Sequence, residues 1–168
     1  MPTLYVITGP SGIGKTTVSK ALAKSKQKSV LIEGDEIYHQ VIGGFIPAWK
    51  EGNHLSIFWK ICKDTIQTYL ADGYDVVFNY IISPEEIEDF KNTFTDTTIK
   101  FIVLIADEET LLIRDKERPE DCQMKERCIV LLNNFKDNYE NSKYLLDTSH
   151  LSVDEIKEQV EKDNQFIL

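Results

Sequence analysis

Gly9-Pro10-Ser11-Gly12-Ile13-Gly14-Lys15-Thr16 is the stretch on which the rest of the chain turns. It fits G-x-x-x-x-G-K-[S/T] at every fixed position, and Thr17 follows. Before it, Thr3 to Thr8 is a β-branched apolar run that reads as a strand. After it, Lys15 to Lys24 carries Val18, Ala21 and Leu22 on one face and reads as a helix. A strand, a glycine-rich turn and a helix start bring backbone N–H groups together around a phosphate. Lys15 is long enough to reach β- and γ-phosphates, and the Thr16 hydroxyl suits Mg²⁺. ATP with Mg²⁺ is therefore the expected cofactor, held by residues 9 to 17.

Working outward, apolar runs and helical patterns alternate. Ser29 to Ile32 is a second strand, ending at Glu33-Gly34-Asp35; residues 36–54 are the least regular part. Leu55, Phe58, Trp59, Cys62, Ile66, Tyr69 and Leu70 recur at helical spacing until Gly73. Asp75 to Asn79 is a third strand, and Ser83-Pro84-Glu85-Glu86 is a capping box that opens a helix. Ile99 to Ala106 is a fourth strand. A short helix through Leu111-Leu112-Ile113 follows, then a polar segment, Arg114 to Asp121. A long helix is expected over 123–141, a fifth strand over 144–147, and a last helix from the Ser152-Val153-Asp154-Glu155 box. Continuous apolar strands between helices imply a parallel sheet covered on both faces, an α/β fold.

The composition narrows the function. The chain has 168 residues, an ordinary size for one domain, and no internal repeat or linker divides it. A net charge of −9 argues against nucleic-acid and membrane-surface partners, which favour a basic excess. Residues 1–8 have no basic stretch before their short apolar run, so no signal peptide is read there, and no run approaches a membrane span. Three cysteines, Cys62, Cys122 and Cys128, are an odd number at no metal spacing, and read as buried or half-buried thiols of a cytoplasmic protein. There is no D-x-x-G after a strand and no N-K-x-D, so guanine-specific switching is not expected.

Two further groups carry chemistry. Carboxylates at a strand's C-terminal end face the ligand crevice of a parallel sheet. Asp35 reads as the base for an attacking hydroxyl and Glu33 as the metal-side group; the plain alternative is a solvated turn that caps a helix. Of 19 basic residues only three are Arg, and Arg114, Arg118 and Arg127 all follow the fourth strand. Their rigid donor forks match phosphate. They read as a mobile lid over the triphosphate, or as partners of Asp115, Glu117 and Glu120 in surface ion pairs.

Residues 9–16, Glu33-Gly34-Asp35 and Arg114-x-x-x-Arg118-Pro119 together resemble the small P-loop kinases: the shikimate kinase, gluconate kinase and chloramphenicol phosphotransferase group. The resemblance spans the chain in order and length. It implies a three-layer P-loop NTPase fold with a five-stranded parallel sheet in order 2-3-1-4-5, helices on both faces and a short lid at about 114–122. It implies Asp35 as base, Arg114 on adenine, Arg118 on phosphate, and adenine cupped near Thr148-Ser149-His150, with Ser149 the chosen contact. Asn79-Tyr80 departs from the group, which often carries Asp or Gly-Gly there. Asn cannot act as an anionic base, but it can bind an acceptor hydroxyl or carbonyl.

Residues 36–60 are expected to bind the acceptor. They hold His39, His54, Trp49 and Trp59 but no Arg, whereas gripping a phosphorylated acceptor favours Arg forks. A small neutral or cationic acceptor with an apolar or planar body fits better than a nucleotide. Trp59 reads as core and Trp49 as a site residue. The expected protein is one P-loop kinase-like domain over 1–168, monomer or homodimer, moving the γ-phosphoryl group of ATP to a hydroxyl of a small molecule. Lys15, Asp35, Arg118 and Arg127 would be catalytic, Arg127 facing phosphate or acceptor. Asp35, Trp49 and Asn79 would meet the acceptor, and Thr16 and Glu33 the metal. The alternatives are a nucleotide-binding regulatory ATPase and a nucleoside or nucleotide kinase.

Overall fold

A computed structural model describes residues 1–139 and 142–168. Five strands, β1 (Thr3–Thr8), β2 (Ser29–Glu33), β3 (Asp75–Asn79), β4 (Thr98–Ile105) and β5 (Leu145–Asp147), form one parallel sheet in the order β2-β3-β1-β4-β5. The expected fold class and strand order are both found. β1 sits at the centre, with Leu4 beside Val76 on one side and Ile99 on the other. All five C-terminal ends therefore emerge at one edge of the sheet.

Alternation along the strands gives each face its own core. Leu4, Val6, Val76, Phe78, Phe101 and Val103 pack against α3 (His54–Ala71) and α4 (Pro84–Thr93). Tyr5, Ile7, Val77, Ile102 and Leu104 face α1 (Lys15–Ser25), α5 (Glu108–Lys116) and α7 (Val153–Lys162). α6 (Glu126–Asn138) gives Cys128 and Leu132 to this second core, while its Phe135 joins the first. Both capping boxes form. Ser83 Oγ accepts from the Glu86 N–H and the Glu86 carboxylate accepts from the Ser83 N–H; Ser152 and Glu155 do the same.

The differences from expectation fall where chemistry gathers. Within the irregular 36–54 stretch a short helix, α2 (Gly34–Tyr38), starts directly at the end of β2. The segment read as polar and mobile from Arg114 is helical to Lys116, because α5 keeps Leu111 and Asp115 buried on one face. The helix expected over 123–141 begins at Glu126 and ends at Asn138; residues 140 and 141 lie outside the described residues. Cys62 and Cys128 are buried, whereas Cys122 is exposed. Trp59 is half-buried among Phe58, Phe78, Tyr80 and Phe90, as its helical spacing predicts. No helix among the described residues is long and apolar enough to cross a membrane.

Candidate functional site

The 9–16 loop turns over the end of β1. Gly9, at φ 144°, passes the backbone of β4 so closely that a Cβ there would stand 2.5 Å from the Leu104 carbonyl oxygen. α1 then starts with Gly14 as N-cap, no side-chain cap and no acidic residue in its first turn. Its free N–H groups and dipole are left for an anion. They open onto a cavity of ≈ 480 Å³ lined by Ser11 to Val18, Asp35, Asn79, Arg114, Glu117, Arg118, Leu151, Val153 and Ile156. Lys15 Nζ donates to the carbonyls of Gly9 (2.9 Å) and Pro10 (3.0 Å). Burial pulls its pKa down to about 8; the Asp35 carboxylate resists this and the Arg118 guanidinium adds to it.

β2, β3 and α2 supply the opposite wall. Asp35, in the first turn of α2, lines the cavity. Asn79 ends β3, is 3% exposed, and its side-chain nitrogen has no hydrogen-bond partner among the described residues. An unpaired buried amide donor at the cavity wall calls for an acceptor from a ligand. Gly34 lets the chain pass Tyr80, since a Cβ there would meet the Tyr80 ring at 2.6 Å. Burial pushes the Tyr80 phenol pKa up, and the neighbouring Asp35 carboxylate and Tyr38 add to the shift.

Glu33 is not brought to the cavity. Its carboxylate lies 3.4 Å from Lys20 Nζ, on the far side of the strand end from Asp35. β2 ends at Glu33 and Asp35 already belongs to α2, so the strand's alternation no longer relates the two side chains and the carboxylates diverge. The expected metal-side role of Glu33 is thereby corrected. Among the oxygen donors that line the cavity are the Thr16 hydroxyl, in the first turn of α1, and the Asp35 carboxylate. They fit Mg²⁺, which takes one or two protein oxygens and keeps its remaining positions for water and phosphate. No cluster of three or more His, Cys, Asp or Glu suited to a metal occurs among the described residues.

The three arginines separate into three situations. Arg114 donates to the Ile13 carbonyl (3.3 Å), to Thr148 Oγ1 (2.9 Å) and to the Thr148 carbonyl (2.8 Å), joining the loop to the end of β5. Arg118 Nη1 reaches Ser11 Oγ at 3.1 Å and Asp115 Oδ1 at 3.2 Å. Arg127 is exposed and outside the cavity, its guanidinium 5.9 Å from the ring centre of Trp49. Trp49 is itself 76% exposed and does not line the cavity. Neither Arg127 as a phosphate ligand nor Trp49 as a cavity residue matches this arrangement; they pair with each other instead.

Asp115 was legible only as an ion-pair partner. It is 2% exposed and accepts from the N–H groups of Met124 (2.9 Å) and Lys125 (2.7 Å) as well as from Arg118. This ties the segment after α5 down against the loop, where the sequence suggested a mobile lid. Burial opposes ionisation, but the two backbone donors and Arg118 outweigh it and hold the Asp115 pKa below the usual carboxylate range. Ser149 is also used structurally: its hydroxyl donates to Asp147 Oδ1 (2.6 Å) and accepts from the Asp107 N–H (2.8 Å). Leu151, Val153 and Ile156 form the apolar wall in its place. Their only sequence signal was the capping box that starts α7.

A family model of the AAA domain matches residues 4–140, most of the chain. The chain belongs to the AAA domain family. Its fold is also shared by solved structures of low sequence identity. The tunicamycin resistance protein of Deinococcus radiodurans superposes with a TM-score of 0.70 at 19% identity, covering 95% of this AAA-domain chain and 94% of that one. A gluconokinase from Sinorhizobium meliloti 1021 gives 0.68 at 18%, covering 95% and 89%. A chain of the Pnkp1/Rnl/Hen1 RNA repair complex gives 0.70 at 18%, over 85% of this chain and 47% of that one. No curated protein sequence matches this AAA-domain chain. The resemblance to the gluconate kinase group read from the loop motifs therefore holds at the level of fold.

Proposed function

We propose that the protein is an ATP- and Mg²⁺-dependent kinase that phosphorylates a hydroxyl of a small molecule. The observation that carries this reading is that Lys15, Arg118, Asp35 and Asn79 all line one cavity, cations on the loop side and the carboxylate opposite. A carboxylate opposite the loop cations suits deprotonation of an attacking hydroxyl; a regulatory ATPase would use the same groups on water, so dependence on an acceptor separates the two readings.

The α1 N-terminus and the Gly9–Thr16 backbone bind the phosphates. The apolar wall of Leu151, Val153 and Ile156 suits the base, and Arg114 holds that wall to the loop through Thr148. Lys15 and Arg118 stabilise negative charge on the transferring group, which is where most of the catalysis of phosphoryl transfer arises. Asp35 takes the proton as the acceptor oxygen bonds to phosphorus and the bond to the ADP oxygen breaks. Asn79 orients the acceptor. Mg²⁺, held through Thr16 and Asp35, would screen the phosphate charges. With no Arg between residues 36 and 60, a phosphorylated acceptor such as a nucleotide is disfavoured.

Coupled ADP release tests the reading. Release that needs Mg²⁺ and rises with a hydroxylated acceptor is expected. ADP release indifferent to a broad acceptor panel would favour the regulatory ATPase, and labelling of oligonucleotide 5′ ends would make the acceptor a nucleic acid.

A further inference from the structure

β2 is an edge of the sheet, with β3 on one side and no strand on the other among the described residues. The Asp75 N–H donates to the Lys28 carbonyl at 3.0 Å. In a parallel pair, alternate residues turn their main-chain groups to the neighbouring strand. Ser29 stands beside Asp75 in the register, so Val30 and Ile32 face β3 as Lys28 does. Ser29, Leu31 and Glu33 face the open edge. Among the described residues, no hydrogen bond reaches the main-chain N–H or C=O of Ser29 or Leu31. An exposed edge is normally blunted by a lysine, a proline or a bulge within the strand. Ser29-Val30-Leu31-Ile32 contains no lysine and no proline, and its register with β3 runs without a bulge.

The helix beside this edge is also bare. A groove of ≈ 510 Å³ runs between the strand and α3, with Val30 and Ile32 on one side and Ile61, Thr65 and Tyr69 on the other. Ile57, Ile61, Thr65 and Tyr69 follow one another at four-residue steps, a single stripe along α3. Ile57, Ile61 and Tyr69 are exposed. Thr65 Oγ1 donates back to the Ile61 carbonyl at 2.7 Å, which spends its hydroxyl inside the helix.

Charge shows what the edge fits. The strand is entered through Lys26-Gln27-Lys28 and left through Glu33-Gly34-Asp35-Glu36. Lys28 pairs with the exposed Asp72, and Glu36 is exposed with no ion pair among the described residues. A strand that is basic at one end and acidic at the other complements its own reverse. Antiparallel pairing with a second copy brings Lys28 of each chain to Glu33 and Glu36 of the other, whereas parallel pairing would bring like charges together.

We infer that the chain self-associates through β2, two copies pairing antiparallel about a two-fold axis at Leu31 to make one continuous sheet. Leu31 then faces Leu31 of the second copy, exchanging both main-chain bonds, and Ser29 faces Glu33. Val30 and Ile32 meet across the joint on the face that carries α3, and the stripes of both α3 helices close over them. The inference stands apart from the kinase reading, since neither β2 nor the α3 stripe lines the cavity that holds Asp35.

Sedimentation equilibrium over a concentration series and hydrogen exchange of the β2 amides test it, with thermal melting as the folding control. A dimer with a Kd in the low micromolar range is expected, with the Ser29 and Leu31 amides protected. Ile61→Glu, at an exposed position, should weaken it at least about tenfold and release those amides to exchange. Leu31→Pro removes an N–H that no bond within the chain uses, so it should fold and stay monomeric. Lys28→Glu should weaken the dimer, and adding Glu36→Lys should restore it. Leu31→Cys in a Cys122→Ser background should form a disulfide-linked dimer under oxidising conditions, because directly paired Cα atoms about 5.5 Å apart suit that bond.

A monomer at concentrations about a hundredfold above that Kd overturns the inference. So does a dimer that survives both Ile61→Glu and Leu31→Pro, or one that the paired charge exchange fails to restore. Protected β2 amides in a monomer would mean that another part of the chain covers the edge, with the same consequence.

Discussion

Asp115 and Arg118 meet at 3.2 Å one turn apart, and the same guanidinium nitrogen reaches Ser11 of the phosphate loop at 3.1 Å. The carboxylate is buried and the guanidinium is part-exposed, so Asp115 sets where Arg118 points. Asp115→Ala would strand two backbone N–H groups and one guanidinium. A loss of about 3–5 kcal/mol in chemical unfolding is expected. In Asp115→Asn, which keeps one acceptor oxygen, kcat should fall more than affinity for ATP.

The same residue sets an acid limit. The Asp115 pKa is depressed in the folded state, so the stability it contributes is complete above the unfolded value, near pH 4, and is lost as pH falls through the lower folded value. Below about pH 4, stability of Asp115→Asn should depend less on pH than that of the unmodified protein, as read from urea midpoints across a pH series.

Lys15 titrates in an accessible range. With its pKa lowered to about 8, part of the population is neutral above that pH in the nucleotide-free protein. Triphosphate beside it favours the charged form. Nucleotide binding should therefore take up protons between roughly pH 8 and 9. Calorimetry in buffers of different ionisation enthalpy measures this, and the uptake should vanish in Lys15→Met along with most of the affinity.

Arg118 and Arg127 should differ sharply. Loss of a positioned arginine in phosphoryl transfer costs about 10³–10⁵ in rate. Arg118→Ala is expected to approach that range. Arg127→Ala removes an exposed contact with Trp49 worth about 0.5–1 kcal/mol, so turnover should change only a few-fold while Trp49 fluorescence shifts. Equal rate losses in the two variants would return Arg127 to the phosphate.

Asp35→Asn should keep ATP binding and lose transfer, whereas Gly34→Ala should harm the acceptor side through packing. A Cβ at Gly34 would stand 2.6 Å from the Tyr80 ring, itself held by Phe58 and Trp59. Overpacking of this kind costs about 1–3 kcal/mol. Thermal melting and acceptor KM should both change, with ATP affinity little altered.

The strands, the loop and both capping boxes were legible because each answers a local rule. Apolar alternation, glycine placement and i, i+3 capping pairs are set by neighbours in sequence. The site was legible where the backbone itself acts, at Gly9 to Thr16, and at Asp35, Arg114 and Arg118, which flank that loop in space. It was misread at Glu33, Ser149, Arg127 and Trp49. Each is the right residue type at nearly the right position, but its side chain leaves the cavity. Direction at a strand end or a helix start depends on a single residue's register, and residue type does not report it.

By itself the sequence determined an α/β chain built around a phosphate-binding loop, since the loop's pattern and its flanking strand and helix are contiguous. Only the tertiary structure decided which carboxylate faces Lys15, which arginine reaches Ser11, and that Asp115 is a buried tether. Those relations join residues far apart in the chain, from Ser11 to Arg118 and from Ile13 to Arg114. Packing between elements creates them, and no local pattern encodes them.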